Sequence, residues 1–374
     1  MVSPAFVLAA GGTGGHLFPA EALARQLVKH GDVVHLATDR RADAFAADIP
    51  GVSVSLVRAG RLGGGPVRAA CGVAEMALGL MQARRLLRRL RPAAVVGFGG
   101  YPSVPTMLAA SRLGLPTVIH EQNAVLGRAN RLLAPRVARI ATGFVETAGL
   151  GDADRERAVY TGNPVRPAIL ASAEIDYRWP EPPQPIDLLV LGGSQGARVF
   201  AEIVPPALAA LPPELRNRLR VSLQARPEDR AQAADLLRQS GTAAEVESFF
   251  ADVPDRLARA QLVICRAGAS TIAELAAAGR PALLVPYPYA ADDHQAANAR
   301  AFVNAGAGWL MPQAVLGASV LTERLVDLLN GGAKLAQAGA RARAFGRDDA
   351  AERLAEIVLS VVPGCSGGGK ERAA

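Results

Sequence analysis

The sequence predicts an α/β protein made of two parallel-sheet units in tandem, and three observations predict it. Short apolar runs alternate with Ala/Leu-rich helical stretches along most of the chain. The layout that opens the chain, an apolar strand, a glycine-rich turn and a helix, returns near residue 186. A proline-bearing joint separates the two series. Strand–helix alternation implies a parallel sheet with helices on both faces. A chain of 374 residues also exceeds what one core ordinarily organises.

In the first series, strands fall near residues 5–10, 33–37, 53–57, 94–97, 116–119 and 138–141. Phe6-Val7-Leu8-Ala9-Ala10 runs into the turn Gly11-Gly12-Thr13-Gly14-Gly15-His16, and the helical Pro19-Ala20-Glu21-Ala22-Leu23-Ala24 follows. The joint is Thr161-Gly162-Asn163-Pro164-Val165-Arg166-Pro167, stiffened by its two prolines. A Pro-rich stretch from Trp179 to Pro185 leads into Ile186-Asp187-Leu188-Leu189-Val190-Leu191, the first strand of the second series. Further strands are expected at Val221-Ser222-Leu223, Glu245-Val246-Glu247, Leu262-Val263-Ile264 and Ala282-Leu283-Leu284-Val285. The expected division is two Rossmann-like domains, 1–164 and 165–345, then a C-terminal helix over 346–362 packing back on the first. Residues 363–374, rich in glycine, read as a flexible tail.

Half of the residues are hydrophobic and 20% are charged, which gives full cores and excludes disorder. No run of about 18 apolar residues exists to span a membrane, and the N-terminus lacks the basic region of a signal peptide. Cys71, Cys265 and Cys365 are scattered and odd in number, which argues against disulfides or a zinc site. A cytoplasmic protein is expected. The net charge of +7 is carried almost entirely by arginine, since only Lys29, Lys334 and Lys370 are lysines. Such a balance suits phosphate groups or an anionic membrane surface, or reflects genome composition alone. Nucleic acid is not expected as a partner, because no basic patch is interleaved with aromatics, which make up 5% of residues.

Three glycine turns stand at predicted strand ends: Gly11 to Gly15, Gly97-Phe98-Gly99-Gly100-Tyr101-Pro102-Ser103, and Gly192-Gly193-Ser194-Gln195-Gly196-Ala197. Ligands of doubly wound sheets bind there, where bare backbone and a helix N-terminus favour a phosphate. Together the turns point to a cleft handling anionic groups from two domains. Dinucleotide binding fits less well. Neither turn that opens a series follows G-x-G-x-x-G, Asp39 is the nearest acid to the second strand, and no P-loop lysine exists.

These motifs, with His120-Glu121-Gln122-Asn123, the joint, Arg266-Ala267-Gly268-Ala269-Ser270-Thr271-Ile272-Ala273-Glu274 and Asp293-His294-Gln295, occur in one order over residues 5 to about 360. The chain therefore resembles the MurG family of bacterial peptidoglycan glycosyltransferases. The resemblance implies the GT-B architecture, two Rossmann-like domains facing a cleft. It implies inverting transfer of N-acetylglucosamine from UDP-N-acetylglucosamine to lipid I, giving lipid II and UDP, with no cofactor and no bound metal. Other lipid acceptors, an epimerase relative and a non-catalytic UDP-sugar-binding regulator are the alternatives.

By the same resemblance, the second domain holds the nucleotide sugar. Ser194 and its glycine turn face the diphosphate, Glu274 accepts from the ribose hydroxyls, and Arg166 contacts the nucleotide. Ala269, Ser270, Thr271, Ile272 and Ala273 offer backbone N–H groups to the leaving UDP. Phe250 contacts uracil through its main chain, and Gln295 binds sugar hydroxyls, with His294 where relatives often carry a second glutamine. Thr13, Gly14, Gly15 and Asn123 approach the donor sugar from the first domain. His16 is the candidate base for the acceptor 4-hydroxyl, Glu121 is the alternative base, and His120 orients or packs.

Asp152-Ala153-Asp154 resembles the metal-binding pair of the other major glycosyltransferase fold. It lies in a charged loop outside any glycine turn and reads as a chance match. A lipid acceptor requires docking on the cytoplasmic face of the membrane. Val73 to Met81, followed by Arg84, Arg85, Arg88, Arg89 and Arg91, is the apolar-then-basic stretch suited to that, or else the buried face of a helix. Partners in the cell-wall machinery fit the same reading.

Overall fold

The structure, a computed structural model, describes residues 4–11, 14–39, 51–60, 65–172, 174–193 and 196–363. The chain folds as two compact units. One comprises the residues up to Val165 with those from Asp348 onward; the other is Arg166–Arg347. The expected tail lies outside the described residues beyond position 363.

In the first unit, β1 (Ala5–Ala9), β2 (Val33–Thr38), β3 (Val52–Leu56), β4 (Ala94–Gly97), β5 (Thr117–Glu121), β6 (Arg139–Thr142) and β7 (Ala158–Tyr160) form one parallel sheet. Their order is β3-β2-β1-β4-β5-β6-β7. Side chains alternate between the two faces, and in the central strands β1 and β4 both faces are buried, so these read as unbroken apolar runs. Phe6 and Leu8 pack with Leu23 and Leu27 of helix α1 (Gly14–Lys29) and with Leu354 and Val358 of the C-terminal helix Ala350–Ser360. Val7, Val95 and Ile119 pack on the other face with Leu87 of α2 (Gly65–Leu90) and Met107 of α3 (Gly100–Arg112). Beyond β5, the short helix α4 (Arg128–Leu133) follows the His120–Asn123 segment.

The second unit repeats the plan. Strands β8 (Ile186–Leu191), β9 (Leu219–Gln224), β10 (Ala243–Glu247), β11 (Leu262–Cys265), β12 (Ala282–Leu284) and β13 (Gly308–Leu310) are ordered β10-β9-β8-β11-β12-β13, all parallel. Helix α5 (Arg198–Ala209) covers β8 through the fully buried Phe200, Val204 and Leu208. Helices α6 (Ala269–Ala278) and α7 (His294–Asn304) follow β11 and β12. The segment ahead of β8 is pinned to this unit. Buried Arg280 donates to the Ile175 carbonyl at 2.5 Å, and Tyr177 donates to the Gln261 carbonyl at 3.1 Å.

Strands β7 and β13 were not expected from sequence. Each is three residues long at a sheet edge, too short for alternation to register.

Leu354 is fully buried against the first unit's sheet. Leu354→Ala should lower that unit's stability by about 2–5 kcal/mol, the usual cost of a buried leucine cavity, read as an earlier midpoint in urea denaturation.

Candidate functional site

In each sheet the chain first winds one way and then reverses, and the reversal leaves a crevice at the carboxyl ends of two neighbouring strands. In the first unit those strands are β1 and β4, and in the second β8 and β11. All three glycine turns leave three of these four strand ends.

At the first crevice, two glycine turns touch. A β-carbon on Gly11 would come within 2.8 Å of the Pro102 ring. Gly99 and Gly100 adopt φ of 81° and 69°, where other residues are strained. The half-buried His16 lies over them, its ring 3.5 Å from where either β-carbon would stand. Gly14 and Gly15 open α1 beside it; Thr13 lies outside the described residues.

Beneath this turn runs a buried polar network. His120 accepts at Nδ1 from Gln122 Nε2 (3.0 Å) and donates from Nε2 to the Gly162 carbonyl (3.2 Å). Burial pushes its pKa down to about 4, so the ring stays neutral. Gln122 also donates to the Phe98 carbonyl at 3.1 Å, and Asn163 donates to the Gln122 carbonyl at 2.8 Å. Glu121 accepts from Asn123 through its backbone N (3.0 Å) and Nδ2 (3.1 Å), and from Gly127 N (2.9 Å) and Asn130 Nδ2 (2.8 Å).

At the second crevice, glycine is again required by close approach. A β-carbon on Gly192 would sit 2.3 Å from the Ala197 nitrogen, and Gly196 has a φ of 68°. Ser194 lies outside the described residues. Helix α6 begins at Gly268 with no side-chain cap, so the N–H groups at Ala269, Ser270 and Thr271 begin a helix end suited to an anion. Ile272 and Ala273 continue this turn, and the Ile272 N–H bonds the Gly268 carbonyl.

One turn further, Glu274 Oε1 accepts from Arg166 Nε (3.0 Å) and Nη2 (2.8 Å). Burial raises the Glu274 pKa, and the guanidinium opposes that shift. The neighbouring Cys265 thiol is pushed up to about 12, chiefly by burial and also by the Glu274 charge. Gln295, on α7, accepts at Oε1 from the backbone N of Ala267 (3.2 Å) and Tyr287 (2.9 Å). Its carbonyl is thus committed to two backbone N–H groups, which fixes the orientation of the amide. The Phe250 ring is buried, with the Arg256 guanidinium 4.0 Å from its centroid. Asp152–Arg155, expected as a loop, is a short helix in which Asp154 forms a partly buried pair with Arg157 at 2.5 Å.

Sequence reasoning missed Asn130, Gly127 and Asn163 as parts of the first site. Asn130 and Gly127 belong to no motif and reach Glu121 only because the chain doubles back after β5. Asp292 and Asp293, immediately before His294 and Gln295, both adopt φ of 53°. Paired strain of this kind gathers at functional sites.

Two Rossmann-like units, each with a glycine-lined crevice at its switch point, define the GT-B class of glycosyltransferases. Residues 6–142 match the glycosyltransferase family 28 N-terminal domain and residues 187–354 its C-terminal domain. The chain belongs to this family. It is 56% identical over 353 residues to the Rhodospirillum centenum UDP-N-acetylglucosamine–N-acetylmuramyl-(pentapeptide) pyrophosphoryl-undecaprenol N-acetylglucosamine transferase, covering 94% of this chain and 93% of that one. It is 52% identical to the Paramagnetospirillum magneticum transferase of the same name, over 97% of this chain and 98% of that one. Among solved structures it resembles Acinetobacter baumannii MurG, with a TM-score of 0.78 and 29% identity, covering 95% of this chain and 99% of that chain.

The neutral His120 makes stability pH-dependent. Its folded pKa of about 4 lies below the ordinary 6.5, so the unfolded chain binds the extra proton. Its contribution is complete above pH 6.5 and is lost as pH falls toward 4, at roughly 1.4 kcal/mol per unit. Urea denaturation between these limits should show a shallower loss for His120→Gln than for wild type.

Proposed function

We propose that this chain transfers N-acetylglucosamine from UDP-N-acetylglucosamine to the 4-hydroxyl of the N-acetylmuramoyl sugar of lipid I, giving lipid II and UDP in peptidoglycan synthesis. The observation that carries this reading is near full-length identity, 56% and 52%, to transferases bearing that name. The geometry supplies a matching chemistry.

The second unit takes the donor. Arg166 occupies Glu274 Oε1 and turns Oε2 toward the ribose hydroxyls as an acceptor. The uncapped start of α6 meets the diphosphate, where negative charge grows as UDP leaves, and fixed backbone dipoles stabilise that charge. Gln295 donates from its NH2 to sugar hydroxyls, and Phe250 meets uracil through its main chain.

The first unit takes the acceptor. The 4-hydroxyl attacks the anomeric carbon in a single inverting displacement, the bond to the UDP oxygen breaks, and His16 receives the hydroxyl proton. Gly14, Gly15 and Asn123 approach the donor sugar, with Thr13 in the same turn.

Lipid I stays in the membrane, so the enzyme works on the cytoplasmic face as a peripheral protein. No helix among the described residues is long and apolar enough to cross a membrane. Helix α2 instead exposes Val73, Ala74, Ala77, Leu78 and Met81 on one stripe, which continues into exposed Arg84, Arg85 and Arg88. That order of apolar then cationic side chains suits insertion at an anionic surface.

With radiolabelled UDP-N-acetylglucosamine and a short-chain lipid I analogue, wild type should transfer sugar even in EDTA. His16→Ala should lose about 10²- to 10⁴-fold in kcat while UDP binding stays intact; near-normal turnover would remove His16 as the base. Arg84→Glu, Arg85→Glu and Arg88→Glu together should weaken sedimentation with anionic vesicles by on the order of a hundredfold, at ~1 kcal/mol per residue. Transfer to the soluble analogue should persist.

A further inference from the structure

We infer that Glu121 is a positioning residue of this reaction, one that orients Asn123 and the Gly99 turn under His16, and that it takes no proton from the acceptor. The inference rests on the transfer reading above and deepens it.

A carboxylate has about four lone-pair directions. Four N–H groups converge on Glu121, two on each oxygen, at 2.8 to 3.1 Å. The residue is 2% exposed. To act as a base, a group needs a hydrogen bond to the proton it abstracts. Glu121 could form one only by surrendering a bond it already makes, and it offers almost no surface for an incoming hydroxyl. His16, by contrast, is half-buried beside the glycine turns.

What the carboxylate does hold is specific. Because Asn123 Nδ2 donates to Oε1, the Asn123 side-chain carbonyl is the end turned away from Glu121. Asn130, 1% exposed, donates from one amide to both Glu121 Oε2 and the His120 carbonyl at 3.1 Å. That same amide nitrogen lies 3.3 Å from the β-carbon position of Gly99, and the His16 ring lies 3.5 Å from the same point. Glu121 therefore fixes Asn130, and Asn130 and the His16 ring pack side by side against the same face of Gly99. Misplacing a reacting group by about 1 Å costs on the order of a hundredfold in rate.

Glu121→Gln tests this in the full chain. The amide keeps the shape but has one acceptor end, so its NH2 meets two of the four N–H donors head on. Expected is a fall in kcat of about 10- to 100-fold, with KM for UDP-N-acetylglucosamine within about threefold of wild type and the acid limb of the kcat–pH profile in place. Loss of that limb would make Glu121 the base and overturn the inference. An equal collapse of kcat, UDP affinity and thermal midpoint would make it scaffold only, and also overturn it. If Glu121→Gln does not fold, Asn130→Ala decides: it should reproduce the kcat-selective loss, and a wild-type rate would refute the chain of contacts. A wild type that transfers nothing to the lipid I analogue overturns the transfer reading itself. A wild type that transfers, while Glu121→Gln loses its acid limb, overturns only the role of Glu121.

Discussion

Both crevices depend on one steric constraint: the chain must pass its neighbour closely, without a β-carbon between, where a strand gives way to a helix. At Gly192 a β-carbon would stand 2.3 Å from the Ala197 nitrogen, and at Gly11 it would strike Pro102 at 2.8 Å. The bare turns let each helix begin directly above its strand, and the uncapped N–H groups of that first turn are then left to an anion. Packing and ligand chemistry share one cause here. A residue with a side chain at these positions would displace the helix start and the dipole with it.

Once the turns are fixed, charge in the second unit follows. Glu274 loses hydration by being buried, which would favour its neutral form, and Arg166 opposes that through two hydrogen bonds to a single oxygen. A buried pair of this sort adds little net stability, because desolvating both ions offsets their attraction. Its effect is orientation: one carboxylate oxygen is committed to the guanidinium, which fixes the rotation of the carboxylate. Gln295 is arranged by the same logic with the opposite polarity. Two backbone N–H groups fill its carbonyl and so fix which end of the amide faces them.

The fold was legible because parallel strands buried on both faces are written as continuous apolar runs. Phe6 to Ala10 and Ile186 to Leu191 need no partner to be recognised. Ala158–Tyr160 and Gly308–Leu310 were illegible because three residues at an edge carry no period and take their conformation from the neighbouring strand. The glycine turns could likewise be read from composition and place. What sequence could not supply was the identity of the committed atom in each polar side chain. Gln295 and Glu121 are visible as residues, but which of their atoms meet N–H groups is set by chain segments that return from elsewhere. Asn130 stands nine positions from Glu121 with nothing in its surroundings to mark it.

The two histidines of the first crevice show how environment assigns different roles to one side chain. His120 is fully buried, its proton is fixed on Nε2 by the Gly162 carbonyl, and desolvation holds it neutral down to about pH 4. A ring so held can shape a turn, through Gln122 and Phe98, but has no route to exchange its proton with a substrate. His16 lies against the Gly99–Gly100 turn and keeps part of its surface open. An imidazole can cycle a proton only where solvent or substrate reaches it and where neither protonation state is locked by burial. Adjacent elements thus differ in kind, the buried ring and the saturated carboxylate giving rigidity while the His16 ring keeps surface open to solvent.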